Sequence, residues 1–163
     1  VLVALPLAVA AVGVTLWAGP YWLGVARQAA AEHRWPEERA VVEAAVAALQ
    51  LPAGYATVPC PEPSDDDARC WRVAAEPDRV QVDLEAALTA VGAQEVTALV
   101  SELPRYGPVG ATVHGSVAGR VLVLLGDREL LPREPGDPIP PGGPFADTVL
   151  VRLSADLAPP DVA

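Results

Sequence analysis

The sequence predicts an α+β chain: a single N-terminal transmembrane helix, then a small domain with one mainly antiparallel sheet and two helices packed on one of its faces. Three observations carry that expectation. Residues 1–26 contain no charged side chain. Two Ala-rich stretches repeat aliphatic residues at helical spacing, Val42, Val46 and Leu49 in one and Leu84, Leu88 and Val91 in the other. Around them lie short β-branched runs punctuated by Gly and Pro.

A helix rising about 1.5 Å per residue needs ~20 apolar residues to cross ~30 Å of hydrocarbon. Val1–Ala18 and the next half-turn supply them. One Asp or Arg at mid-span would cost about 2.5–3.5 kcal/mol on an insertion scale, so the lack of charge is physically meaningful. Trp17, Tyr21 and Trp22 cluster at the far end, where amphipathic rings favour the headgroup zone, so the crossing is expected to end near Gly19 and Pro20. Two other readings exist. Ala8-Val9-Ala10 has the small residues of a leader cleavage site, although the apolar run continues past it. A buried core helix would also be apolar, but rarely over such a length without a polar face.

Beyond the span, Arg27–Arg34 forms a juxtamembrane helix expected to stop at Pro36. Pro36 followed by Glu37 and Glu38 is a start signal, because the ring removes no needed donor there and the carboxylates suit the positive end of the helix dipole. The first domain helix is therefore expected over Pro36–Gln50, ended by Pro52 and Gly54. Tyr55–Pro59 and Cys70–Ala74 read as strands joined by a polar loop. Arg79–Val82 alternates briefly before Asp83, a candidate N-cap for a second helix over Leu84–Val91 that Gly92 closes. Val96–Leu103 is a candidate strand, with a continued helix as the alternative because Pro104 is the first firm stop. Gly107-Pro108-Val109-Gly110 and Gly142-Gly143 carry turn chemistry. Ala111–Val117 and Arg120–Gly126 flank Ala118-Gly119 as a hairpin, and the second of these is apolar on both faces, as suits a central strand. Thr148–Leu153 is the last strand. The domains so read are the anchor 1–26, the juxtamembrane helix 27–35, an extracytoplasmic α+β domain 36–157 and a tail 158–163. Residues 42–49 also lie on 84–91 at a constant offset, each followed by an expected strand pair, so an αββ duplication is a candidate.

The formal charge of −10 falls wholly on residues 27–163, and every basic residue is Arg. Such a domain repels nucleic acid and anionic headgroups, so no nucleic-acid partner is expected. Cys60 and Cys70 bracket the polar loop and fit a disulfide stapling its ends, a bond that persists in oxidising compartments. Two buried free thiols are the alternative, and a zinc site would need ligands that His33 and His114 are not spaced to provide. The disulfide places the domain outside the cytoplasm. Arg27, Arg34 and Arg39 pull mildly the other way under the positive-inside rule.

Chemistry-bearing patterns are few. Glu62, Asp65, Asp66 and Asp67 are the densest carboxylates but lack the Gly turn and following Glu of a calcium loop, so no metal is expected. His114 and Ser116 share a strand face by alternation, without an obvious orienting acid. His33 reads as a solvated side chain. Pro132–Pro144 is either a stiff surface loop or an extended docking segment. No phosphate loop, dinucleotide fingerprint, zinc-protease motif or nucleophile elbow occurs. The expectation is thus a non-enzymatic, single-pass accessory or interaction subunit of a bacterial cell-envelope assembly, with other membrane proteins as partners and the bilayer engaged through residues 1–26. No cofactor and no small-molecule ligand is expected. The alternatives are an extracytoplasmic small-molecule-binding or sensor domain, and an envelope hydrolase using His114 and Ser116.

Overall fold

The structure, a computed structural model, describes residues 4–61, 69–131 and 143–158, with side chains from Tyr21 onward. It comprises α1 (Ala4–Ala48), β1 (Ala56–Val58), β2 (Arg69–Val73), α2 (Pro77–Ala90), β3 (Gln94–Leu103), β4 (Gly107–Val117), β5 (Arg120–Leu130) and β6 (Phe145–Ala155). The architecture is α+β, with one antiparallel six-stranded sheet in the order β1-β2-β6-β5-β4-β3. Two units divide the chain, Val1–Arg39 with the end from Ala158, and Ala40–Leu157.

The first unit is helical. Its backbone stays in α1 through Gly19, Pro20 and Pro36, where the sequence predicts an end to the span and a break before the domain. An interior proline costs a helix about 3 kcal/mol through a lost hydrogen bond and a ring clash. Strong helix formers on both sides of Pro36, from Ala26 to Glu32 and from Glu37 to Ala48, offset that cost. Gln28 Nε2 adds an i,i+4 bond to Glu32 Oε1 at 3.1 Å, and Arg34 Nε donates to the Ala30 carbonyl at 3.3 Å. Among the described residues no helix is long and apolar enough to cross a membrane. Tyr21–Ala48 carries Arg27, Glu32, Arg34, Glu37, Glu38, Arg39 and Glu43, too many charges for hydrocarbon. The side chains of residues 1–20, on which the expected span chiefly rests, lie outside the described residues.

In the second unit, Val42 and Ala45 on the end of α1 and Leu49 just after it recur at helical spacing and are buried. Gly54, at φ 109°, turns the chain into β1. The second helix begins earlier than the sequence suggests. Glu76 occupies the cap position without a side-chain bond, Pro77 opens the first turn, and Val80, Leu84, Ala87 and Leu88 form the buried stripe. The brief alternation at Arg79–Val82 is therefore helical, with Val80 inside and Val82 outside. Gly92, at φ 81°, ends it with a Schellman pair: Gly92 N–H donates to Thr89 O at 3.0 Å and Ala93 N–H to Leu88 O at 3.1 Å. At the constant offset noted above, Val42 and Leu84 are both fully buried, as are Ala45 and Ala87 nearly so. Each helix leads into an antiparallel pair, β1-β2 and β3-β4, at opposite edges of the sheet.

Between those pairs lie β5 and β6. The β4-β5 hairpin turns at Ala118 and Gly119, both at positive φ (51° and 75°), as a two-residue primed turn requires. Gly107–Gly110, expected as a turn, belongs to β4, and the chain reverses instead at 104–106, where Tyr106 N–H donates to Leu103 O at 3.0 Å. Register places Trp71 beside Val151, Val73 beside Val149, and Leu124 between Leu153 and Val113. These residues share one face and join Val42, Leu49, Val80, Leu84 and Leu88 in a single apolar core. Two glycines let α2 sit close to that face. A Cβ on Gly126 would stand 3.1 Å from Val80 Cγ1, and one on Gly115 would stand 2.9 Å from Ala93 Cβ. Because Ala93 Cβ is fixed to the backbone, Gly115→Ala is expected to destabilise the domain by about 1–3 kcal/mol through overpacking, read as a lower urea midpoint at unchanged m-value.

Candidate functional site

The Cys60–Cys70 disulfide is formed, with Cα atoms 5.3 Å apart. Cys70 lies on β2 beside Arg152 of β6, so its side chain points away from the helices, and it is 1 % exposed. The bond thus ties the chain after β1 to the second strand of the sheet. Residues 62–68, which include Glu62 and Asp65–Asp67, lie outside the described residues, as do residues 132–142 of the Pro-rich segment. Tyr21 and Trp22 are solvent-exposed on α1, ring against edge at 5.5 Å, while the Trp17 side chain is outside the described residues.

The sheet face opposite the core is the broadest candidate surface, since α2 and the end of α1 from Ala40 pack on the other face. Strand alternation assigns it in rows. Leu99, Thr112, Leu125, Arg152 and Cys70 follow one another across five strands; Thr97, His114, Val123 and Ser154 form the next row; Ser101, Gly110, Asp127, Leu150 and Arg72 form a third. Leu99 is 65 % exposed and Val121 47 %. The surface mixes aliphatic and hydroxyl side chains with Arg152 and Asp127 inside the rows, and a further charged group lies at one end. There Arg72 makes a bidentate pair with Glu129, Nε to Oε2 at 2.7 Å and Nη2 to Oε1 at 2.6 Å, and the Thr148 hydroxyl donates to Glu129 Oε2 at 2.8 Å. The Arg72 hydrogen bonds hold the Glu129 carboxyl below the ordinary range, the Thr148 bond adds to this, and partial burial opposes it.

His114 and Ser116 do share this face, as alternation predicts. The Ser116 hydroxyl donates to the Gln94 carbonyl at 3.4 Å rather than toward the imidazole. His114 faces Thr97 and Val123 across its neighbouring strands and has no carboxylate hydrogen-bonded to it among the described residues. Nor do the described residues hold any group of three or more His, Cys, Asp or Glu able to bind a metal ion. His33 is exposed on α1.

Between sheet and helices, no described polar or charged residue is buried. At the rim the Tyr55 hydroxyl donates to Asp83 Oδ2 at 3.2 Å and Arg79 pairs with Asp83 at 3.2 Å. Burial first, then the Asp83 charge and hydrogen bond, push the Tyr55 phenol well above its ordinary value, with Arg79 opposing. Asp83, which the sequence suggests as a helix cap, is thus an acceptor in the middle of α2. Neither the Arg72–Glu129 pair nor the Tyr55–Asp83 pair is readable in sequence, because the partners lie far apart and only the register of the sheet and the placement of α2 bring them together. Comparison with protein-family models, curated proteins and solved structures finds no match to the chain.

Reduction of the disulfide, or Cys60→Ala with Cys70→Ala, is expected to cost about 2–4 kcal/mol, measured by urea unfolding with and without dithiothreitol. Stability should also fall at both pH extremes. The raised Tyr55 phenol contributes stability that is complete below the unfolded value of about 10 and is lost as pH rises above it; Tyr55→Phe should flatten that alkaline slope. The depressed Glu129 carboxyl contributes stability present above the unfolded value of about 4.3 and lost as pH falls through its folded value; Glu129→Gln should flatten the acid slope.

Proposed function

We propose that this protein is a non-enzymatic, membrane-anchored accessory or interaction subunit of a bacterial cell-envelope assembly. Residues 1–26 hold it in the bilayer, Trp17, Tyr21 and Trp22 sit at the interface, and the α+β domain faces the exterior. The observation that carries this reading is the Cys60–Cys70 bond, because a disulfide survives in oxidising compartments and is reduced in the bacterial cytoplasm. The charge-free sequence of residues 1–26 and the helical backbone from Ala4 onward agree with an anchor, since a helix satisfies its own backbone groups in hydrocarbon.

An interaction role fits the domain better than chemistry or ligand capture. None of its fully buried described residues is polar or charged, so few groups could orient a small molecule there, and the hydroxyl of Ser116 is directed at a backbone carbonyl. Its uncovered sheet face instead offers exposed aliphatic and hydroxyl groups of the kind that proteins bury against each other. The formal charge of −10 disfavours nucleic acid and anionic lipid surfaces as partners of the domain.

Affinity purification of the full chain in mild detergent is expected to bring other membrane proteins with it in fixed proportion. Migration of the native protein as a lone monomer would remove the accessory role.

A further inference from the structure

The two edges of the sheet are unequal. β1 offers three residues, Ala56–Val58, whereas β3 offers ten, Gln94–Leu103, with no Pro and no Lys along it. Natural sheets usually blunt a long edge, because its unpaired N–H and C=O groups template the addition of another strand. In β3 the blunting devices, bulges and charges, are confined to the ends of the strand. Register shifts against β4 lie between Gln94 and Thr97 and between Ser101 and Glu102, and between them Thr97–Ser101 pairs regularly with His114–Gly110. Just outside each end of that regular run stands a carboxylate. Glu95 is exposed and held at φ 52°, a left-handed conformation that a non-glycine residue adopts at some cost, here at a bulge that re-aims its side chain. Glu102 is likewise exposed. Neither makes an ion pair or a side-chain hydrogen bond among the described residues, in contrast to Arg72–Glu129, Arg79–Asp83, Arg120–Asp156 and Arg128–Glu76 elsewhere in the domain. Between the two carboxylates the strand is uncharged, and Leu99 projects 65 % exposed on the uncovered face.

Resting on the interaction role above, we propose that the Thr97–Ser101 edge of β3 accepts an added strand from a partner protein, and that this strand is a short extended segment of alternating β-branched or aliphatic residues with a basic residue at each end. Backbone hydrogen bonds supply the attachment, as in other strand-addition modes. Specificity comes from the paired acids, which attract a basic flank at both ends and repel an acidic one. A second copy of this chain is the poorer occupant. It would bring the same acids to the edge and a second formal charge of −10 to the complex.

The test uses the full chain in neutral detergent micelles at low salt and two synthetic peptides, Arg-Val-Thr-Val-Thr-Val-Arg and the same sequence with Glu at both ends, each blocked at its termini. The Arg-flanked peptide is expected to protect the backbone amides of Thr97–Ser101 from hydrogen exchange and to bind about tenfold more tightly than its Glu-flanked counterpart, the sum expected of two exposed ion pairs with their repulsive converses. In the double variant Glu95→Lys with Glu102→Lys, whose sites are both exposed, that preference should reverse while the urea midpoint stays unchanged. Protection confined to other strands, or an unchanged preference in the double variant, overturns the proposal. So does a concentration-dependent dimer that protects β3 without peptide, since the occupant is then a second copy. Failure of co-purification with membrane proteins removes the accessory role without touching the peptide preference, so the two failures are distinguishable.

Discussion

Everything else in the domain depends on one apolar contact, the layer in which the end of α1 and the whole of α2 meet one face of the sheet. Val42, Leu49, Val80, Leu84 and Leu88 meet Val113, Leu122, Leu124, Val149 and Val151 there, and most are withdrawn from water altogether. Burying a Val or Leu side chain fully is worth about 1.5–3 kcal/mol, whereas an exposed ion pair of the Arg79–Asp83 type contributes about 0–1 kcal/mol. The aliphatic layer therefore outweighs the surface charges in holding the fold. It also explains the glycines of the central strands: Gly115 and Gly126 lie where a β-carbon would collide with α2 or with the residues around it.

The periodic features of this layer were legible in the sequence, and the long-range ones were not. Helical spacing at Val42 and Leu84, strand runs at Cys70–Ala74 and Arg120–Gly126, the Ala118-Gly119 turn and the cysteine pair all express local rules, and the structure contains each of them. Boundaries failed where two local rules competed. At Pro36 the breaker rule lost to the helix propensity of the flanking residues. At Arg79–Val82 a brief alternation masked a helix that Pro77 had already started, and Gly107–Gly110 looked like a turn but found partners on β3 and β5. The candidate surface was legible only in its ingredients. Alternation put His114 and Ser116 on one face, yet the rows that set Leu99 beside Thr112 and Leu125 follow from strand order, which no local pattern encodes.

Two faces of one sheet thus differ in character. The helix-covered face is closed and aliphatic, and none of its fully buried described residues is polar or charged. The opposite face carries Arg152, Asp127 and, at one end, the Arg72–Glu129–Thr148 group among hydroxyls and aliphatic chains. The buried aliphatic contacts that hold the domain together lie on the first face.

The strand order also governs when the fold can complete itself during synthesis. β1 and β2 are made early, but the neighbour of β2 is β6, the last of the described strands to be made. Until then the N-terminal hairpin has the local Cys60–Cys70 crosslink and no sheet to join, while α2, β3, β4 and β5 assemble through near-neighbour contacts. Loop closure over so long a stretch is the slow step of such topologies. A chain that stalls before Phe145 would leave its early cystine hairpin unpaired, an exposed edge open to aggregation and proteolysis.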